Sequence, residues 1–197
     1  MLAPRQTALV LLAAGRSRRF DGDKLVEPFL DKPLAFHVAT ALEKIPFLAR
    51  IAVVSCTSLD FDALGYRVAL NPDPSLGQAR SLCHGVLAAR EAGADAVLVA
   101  LADMPRVTAA HIYRMFDAAS GPDTVVASSD GVQPRPPALF GGNLFDNLLD
   151  LDGDQGAREL IMRGRHVVTS PAELVDIDTR ADLAELRELY GLETDGK

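Results

Sequence analysis

A chain of 197 residues, 48% of them apolar, is long enough for one domain with a sizeable core and too short for two full ones. Its 20 Lys and Arg against 27 Asp and Glu leave a formal charge of -7, which excludes a global field that would attract nucleic acid or an anionic membrane. Two widely spaced cysteines, Cys56 and Cys83, exclude a disulfide framework and fit a cytoplasmic location, and no apolar run approaches the roughly 20 residues of a membrane span.

Residues Met1 to Thr7 lack the charged start and long apolar middle of a secretory signal. The first predicted element is Ala8 to Ala14, a continuous apolar run of the kind found in strands buried on both faces. Ile51 to Val54, Ala96 to Leu101 and Val125 to Ala127 read the same way. Between them lie helical periods: Ala79, Leu82, Cys83, Val86 and Leu87, then Ile112, Met115, Phe116 and Ala119 after Thr108 as N-cap. The segment Gly131 to Pro137 is expected to be a loop over the site, because proline removes backbone donors. Thr179-Arg180-Ala181-Asp182 has the form of a capping box, followed by Leu183, Leu186 and Tyr190 on one face of a closing helix.

Strands alternating with helices predict an α/β fold: a Rossmann-like, mostly parallel central sheet with helices on both faces. One domain over residues 1–192 is expected, with a flexible tail at 193–197. Ligands of such sheets collect at the carboxyl ends of the strands. Directly after the first strand stands Leu12-Ala13-Ala14-Gly15-Arg16-Ser17-Arg18-Arg19-Phe20-Asp21-Gly22-Asp23-Lys24. Glycine lets N–H groups approach an anion, the two alanines leave space for a flat base or ribose, and Arg and Lys neutralise phosphate oxygens. The loop is neither a Walker A loop nor the G-x-G-x-x-G fingerprint. Asp103 follows the run Ala96 to Leu101 and so stands at a strand's carboxyl end, where a carboxylate can hold Mg²⁺ together with phosphates. Its alternative is a helix-capping role. His37, His84, His111 and His166 form no metal-ligand pattern and are expected in surface or partly packed roles.

Leu-Ala-Ala-Gly-x-Ser-x-Arg with Lys five residues on resembles the signature of nucleotidyltransferases related to molybdenum cofactor cytidylyltransferase. Five later segments fit in order: Gly77-Gln78-Ala79-Arg80-Ser81-Leu82-Cys83-His84-Gly85, Asp103-Met104-Pro105, Pro137-Ala138-Leu139-Phe140, Leu151 to Arg158 and Asp176-Ile177-Asp178-Thr179. The resemblance spans about residues 8–185. It implies a nucleotidyltransferase of GT-A-like fold, with Mg²⁺ as cofactor and CTP as donor. The implied acceptor is the terminal phosphate of the molybdenum cofactor or another phosphorylated small molecule, and the implied partner a client molybdoenzyme. Leu12, Ala13, Ala14, Gly15, Arg19, Lys24, Asn71, Ser81 and Asp103 are the implied nucleotide-binding residues. Arg19 and Lys24 share the phosphates, with the division between them open, and join Asp103 as the catalytic set. Asp178 is the second metal ligand or, alternatively, an acidic residue stabilising the last helix, while Ser81 and Asn71 have surface and turn roles as their alternatives.

Two departures stand out: Asp21 where the family has glycine, and Arg135-Pro136 where it has Gly-His. Rival readings are a guanylyltransferase, disfavoured by Leu-Ala-Ala-Gly in place of Leu-Ala-Gly-Gly, an isoprenoid cytidylyltransferase, a sugar-phosphate nucleotidyltransferase, and a non-catalytic nucleotide sensor or cofactor chaperone.

Overall fold

The computed structural model describes residues 2–15, 19–20, 22–151 and 157–192. The expected tail, Asp21, Arg16 to Arg18 and most of the Leu151 to Arg158 motif lie outside the described residues. In chain order the elements are β1 (Thr7–Ala13), a short hairpin of β2 (Pro28–Phe29) and β3 (Lys32–Pro33), α1 (Leu34–Ala41), β4 (Ala49–Val54), β5 (Arg67–Leu70) and α2 (Gln78–Glu91). Then come β6 (Ala96–Leu101), α3 (Ala109–Asp117), β7 (Val125–Ser129), β8 (Pro134–Gly141), α4 (Phe145–Leu149), α5 (Arg158–Arg163), β9 (Arg165–Val168) and α6 (Arg180–Leu189).

Seven strands form one sheet in the order β5-β4-β1-β6-β8-β7-β9. All run in one direction except β8, which is antiparallel to both of its neighbours. Alternate side chains of the central strands go to opposite faces. Leu9, Leu11, Ala52, Leu98 and Ala100 pack with Val38, Ile112 and Met115 of α1 and α3. On the other face Ala8, Val10, Ile51, Val97 and Val99 meet Leu82, Val86 and Ala89 of α2, Phe145 and Leu148 of α4, and Ile161 of α5. Gly85 sits where any larger residue would collide: a Cβ there would stand 2.3 Å from Val10 Cγ1. A third cluster of Phe20, Phe29, Leu34, Ile177, Leu183 and Leu186 fastens α6 to the β2–β3 hairpin.

The Thr108 cap and the Thr179 capping box both form as expected. The stretch Gly131 to Pro137 requires correction, since Pro134 to Pro137 are the first half of β8, a strand in the interior of the sheet. The prolines are tolerated because β6 pairs only with Ala138 to Gly141, so the proline half runs on past the end of that neighbour. On the β7 side the register jumps from Ala127–Ala138 to Ser128–Arg135, leaving Pro136 and Pro137 in a bulge that asks nothing of their missing N–H groups.

Candidate functional site

Three segments far apart in sequence meet at the carboxyl ends of β1 and β6. Lys24 opens a short 3₁₀ turn that is capped by Asp23 Oδ1 accepting from the Leu25 N–H, which fixes the course of the chain after the glycine loop. Asp103 stands two residues beyond β6, where Ala102 N–H still donates to Leu12 O and so holds this loop against the end of β1. Asp178 arrives from the other end of the chain. Ile177 N–H donates to Asp103 O at 3.0 Å, while the Asp182 carboxylate of the α6 capping box accepts from the N–H groups of Asp178 and Thr179.

The result is a charged cluster. Lys24 Nζ donates to Asp103 Oδ2 at 2.7 Å and to Asp178 Oδ1 at 3.2 Å, and Arg19 Nη2 donates to Asp178 Oδ2 at 2.6 Å. The Lys24 side chain is 8% exposed and that of Arg19 71%, so one cation is built into the floor and the other reaches in from solvent. Burial works against the charge on Lys24, but the carboxylates of Asp103 and Asp178 outweigh it and hold the ammonium above its ordinary value. Burial raises Asp103, with Lys24 opposing and Asp176 and Asp178 adding to it.

These residues line a cleft of about 340 Å³ together with Leu12, Ala14, Gly15, Gln78 and Ser81. The first turn of α2 forms one edge. Its N-cap is Gly77 at φ +92°, with no side chain capping the helix, so its leading N–H groups have no side-chain cap to accept from them. A second cavity of about 540 Å³ shares Leu12, Gln78 and Leu101 with the first. Its wall includes Val99, Met104, Ala138, Phe140, Ile161 and Leu174, with Arg135, Arg158 and Asp176 as its charged members. Arg135 pairs with Asp130 at 3.2 Å and with Asp176 at 3.8 Å.

Of the residues anticipated from sequence, Leu12, Ala14, Gly15, Arg19, Lys24, Ser81, Asp103 and Asp178 all line the charged cleft. Ala13 does not, because strand alternation sends it into the core of the opposite face. Asn71 is fully buried, with its amide donating to Ser81 Oγ at 2.9 Å and accepting from Asp73 N–H, so its side chain holds Ser81 and the turn. Missed by sequence reasoning were Pro74, Ser75, Leu25 and the existence of the second cavity, although Val132 to Pro136 of the segment expected over the site and several residues of the motifs line it. His111 is also deeper than expected, at 0% exposure.

The fit to a metal rests on one atom. Asp103 Oδ1 is buried without a hydrogen-bond partner, a costly state for a carboxylate oxygen that a cation would relieve. Among the described residues no group of three or more acidic, His or Cys side chains gathers, so Asp103 and Asp178 would share a divalent ion with phosphate oxygens rather than enclose it.

The model of the MobA-like NTP transferase domain matches residues 9–168. The purine catabolism protein PucB of Bacillus subtilis is 32% identical over 189 residues, covering 86% of this chain and 90% of its own. The bifunctional protein GlmU of Rhizorhabdus wittichii is 30% identical over 71% of this chain, which spans only 32% of that protein. Among solved structures, Rv0371c of Mycobacterium tuberculosis superposes with a TM-score of 0.77 at 28% identity, over 95% of this chain and 100% of its own. A structure of the same protein in complex with manganese gives a TM-score of 0.74 at 25% identity, over 93% and 98%. Nucleotidyltransferases of this fold use divalent metal ions, and Asp103 and Asp178 suit one. With the seven-stranded sheet, the charged cleft at its strand ends and the match over residues 9–168, the chain belongs to the MobA-like NTP transferase family and is a nucleotidyltransferase.

Proposed function

We propose that the chain transfers a cytidylyl group from CTP to the terminal phosphate of the molybdenum cofactor, with Mg²⁺ as the metal, giving the cytosine dinucleotide form and pyrophosphate. The observation that carries this reading is the pair of adjoining cavities, one charged and one largely apolar, joined along Leu12, Gln78 and Leu101. The first suits a triphosphate and the second the flat body of an acceptor such as a pterin. The apolar stretch of Val99, Met104, Phe140 and Leu174 favours the face of a flat ring over a sugar with a hydroxyl on almost every carbon, while Gln133, Arg135, Arg158 and Asp176 are available to the ring's polar edge.

An acceptor phosphate is already anionic near neutral pH and attacks the α-phosphorus in line, so the chain needs no covalent intermediate and no general base. Lys24 and Arg19 neutralise the phosphate oxygens. Lys24 is already protonated and fixed by two carboxylates, so little reorganisation accompanies the step. Asp103 and Asp178 would hold the divalent ion, which supplies charge neutralisation on the phosphates. The first turn of α2, with Ser81 locked by Asn71, meets the ribose or base. Incubation with each of the four ribonucleoside triphosphates, Mg²⁺ and molybdenum cofactor, followed by identification of the dinucleotide, tests the reading. A cytosine dinucleotide supports it. A guanine dinucleotide overturns the donor, and transfer only to a sugar phosphate or an isoprenoid phosphate overturns the acceptor.

A further inference from the structure

We infer that His111 is a positioning residue for the acceptor: as the neutral Nε2–H tautomer, it holds through Ser128 the proline bulge of β8 that walls the second cavity. The inference rests on the reading of that cavity as the acceptor site. His111 and Ser128 are both fully buried, between α3 and the β7–β8 pair. Their hydrogen bonds leave one arrangement of protons. The Ser128 hydroxyl has two acceptors besides the imidazole, Pro137 O at 2.8 Å and the weaker Met115 Sδ at 3.6 Å, and it donates to the carbonyl, whose residue the bulge leaves out of the β7 register. Ser128 Oγ then has only lone pairs to offer His111 Nε2, 2.7 Å away, so Nε2 carries the proton.

The same answer comes from the other end. Arg114 Nη2 lies 3.2 Å from His111 Nδ1, and a guanidinium can only donate, so Nδ1 is bare. Arg114 continues the chain, donating to Thr169 Oγ1 at 2.9 Å and to Val168 O at 3.3 Å. Glu173 accepts from Thr169 and from Thr108, the N-cap of α3, and lies 3.8 Å from Arg114. The charged groups facing His111 are therefore Arg114 of its own helix and Glu173 of the turn after β9.

Both ends of this chain adjoin residues that line the second cavity. Pro134, Arg135 and Pro136 form part of its wall next to the held Pro137 carbonyl, and Leu174 follows Glu173 directly. Burial and Arg114 lower the proton affinity of His111, with Glu173 opposing, which keeps the neutral form in place. A buried histidine serving only the core would need a partner but not this one, which ties the exceptional strand of the sheet to the turn across the cavity from it.

Two measurements on the full chain decide the matter. In steady-state assays with CTP and molybdenum cofactor varied separately, His111→Ala raises KM for the acceptor by roughly tenfold and leaves KM for CTP and kcat within about twofold, the loss of about one buried hydrogen bond. His111→Gln restores the acceptor KM, because its amide can donate to Ser128 and accept from Arg114. Ser128→Ala reproduces the effect if His111→Ala fails to fold, and the double variant is no worse than either single one. Equal rises in both KM values, or a lower melting temperature with an unchanged acceptor KM, overturn the inference.

The second measurement needs no acceptor. Long-range nitrogen correlation spectra of the labelled protein show His111 as Nε2–H at neutral pH, and the amide signals of Gln133 and Arg135 shift in His111→Ala but return in His111→Gln. A protonated Nδ1, or Gln133 and Arg135 amides that do not respond, overturns the inference. Should the wild type transfer to no acceptor, the proposed function fails, and the spectra alone decide whether His111 positions the wall.

Discussion

The two adjoining cavities are held in opposite ways. The first cleft is built on charge: Lys24 bridges Asp103 and Asp178, Arg19 adds a second ion pair, and the backbone merely carries these groups to one place. The second cavity rests on hydrogen bonds around a bulged strand, with Ser128 and His111 supporting it, and much of its wall is apolar, with Arg135 paired to Asp130 and Asp176. The difference teaches how one fold can keep a constant chemistry while changing its acceptor. On the proposed function, the charges act on phosphates that every nucleoside triphosphate shares, whereas the course of β8 and its neighbours sets a shape that only some acceptors fill.

Substitutions on the charged side sharpen this contrast most. Asp103→Ala is expected to lower pyrophosphate release by roughly 10³-fold, since it removes a carboxylate from the metal and leaves Lys24 with Asp178 alone. Asp103→Asn keeps the shape and should lose nearly as much. A folded variant of either kind with a near-normal rate at limiting Mg²⁺ would show that the cluster is structural, and the comparison would collapse.

Lys24→Met comes next, with a fall in kcat of about 10²-fold and a smaller change in nucleotide affinity, because a fixed cation matters most as charge redistributes over the phosphates. Weaker binding at an unchanged rate would make Lys24 a tether. The donor base is a finer matter. Ala14 lines the cleft at the end of β1, and Ala14→Gly is expected to shift the CTP to GTP preference toward the purine by at most about 1–3 kcal/mol, the worth of a single methyl in a pocket. Competition between the two triphosphates reads the ratio directly, and an unchanged ratio removes Ala14 from donor selection.

The neutral side responds to pH instead. The folded protein lowers the proton affinity of His111 below its ordinary value of 6.5, so the unfolded chain binds the proton more readily. His111 therefore costs no stability above that value, and stability falls as pH drops below it, by at most about 1.4 kcal/mol per pH unit for one group. Urea unfolding at a series of pH values should show a shallower acid slope in His111→Gln. Some slope remains, since burial and Arg80 also lower His84. An identical slope in both proteins would mean that His111 is not held neutral.

The same contrast governs what the sequence discloses. β1, β4 and β6 announce themselves as unbroken apolar runs because both faces of each are buried. The edge strands β5 and β9 are largely exposed and carry no such pattern. β8 was misleading, because prolines argue against an interior strand and only the register shows that they overhang one neighbour and bulge from the other. In the site, Asp103 is legible from its place after an apolar run, and Lys24 and Arg19 from the glycine loop, whereas Asp178 lies 75 residues from Asp103 and is reached only through resemblance. Asn71 shows the opposite failure. A polar residue after a strand looks the same in sequence whether it faces a ligand or, as here, is spent on Ser81 and a turn.

The hydrogen bond from Ile177 N–H to Asp103 O bears on how the enzyme comes into being on the ribosome. A nascent chain that has emerged as far as β9 already carries every strand of the seven-stranded sheet, and Lys24 and Asp103 with them. It still lacks Asp178, the latch to Asp103 and the α6 cap that holds both. On the proposed reading of the site, such a chain is expected to be inert toward nucleoside triphosphates until Asp178 and the cap of α6 arrive, which would separate the formation of the sheet from the onset of catalysis.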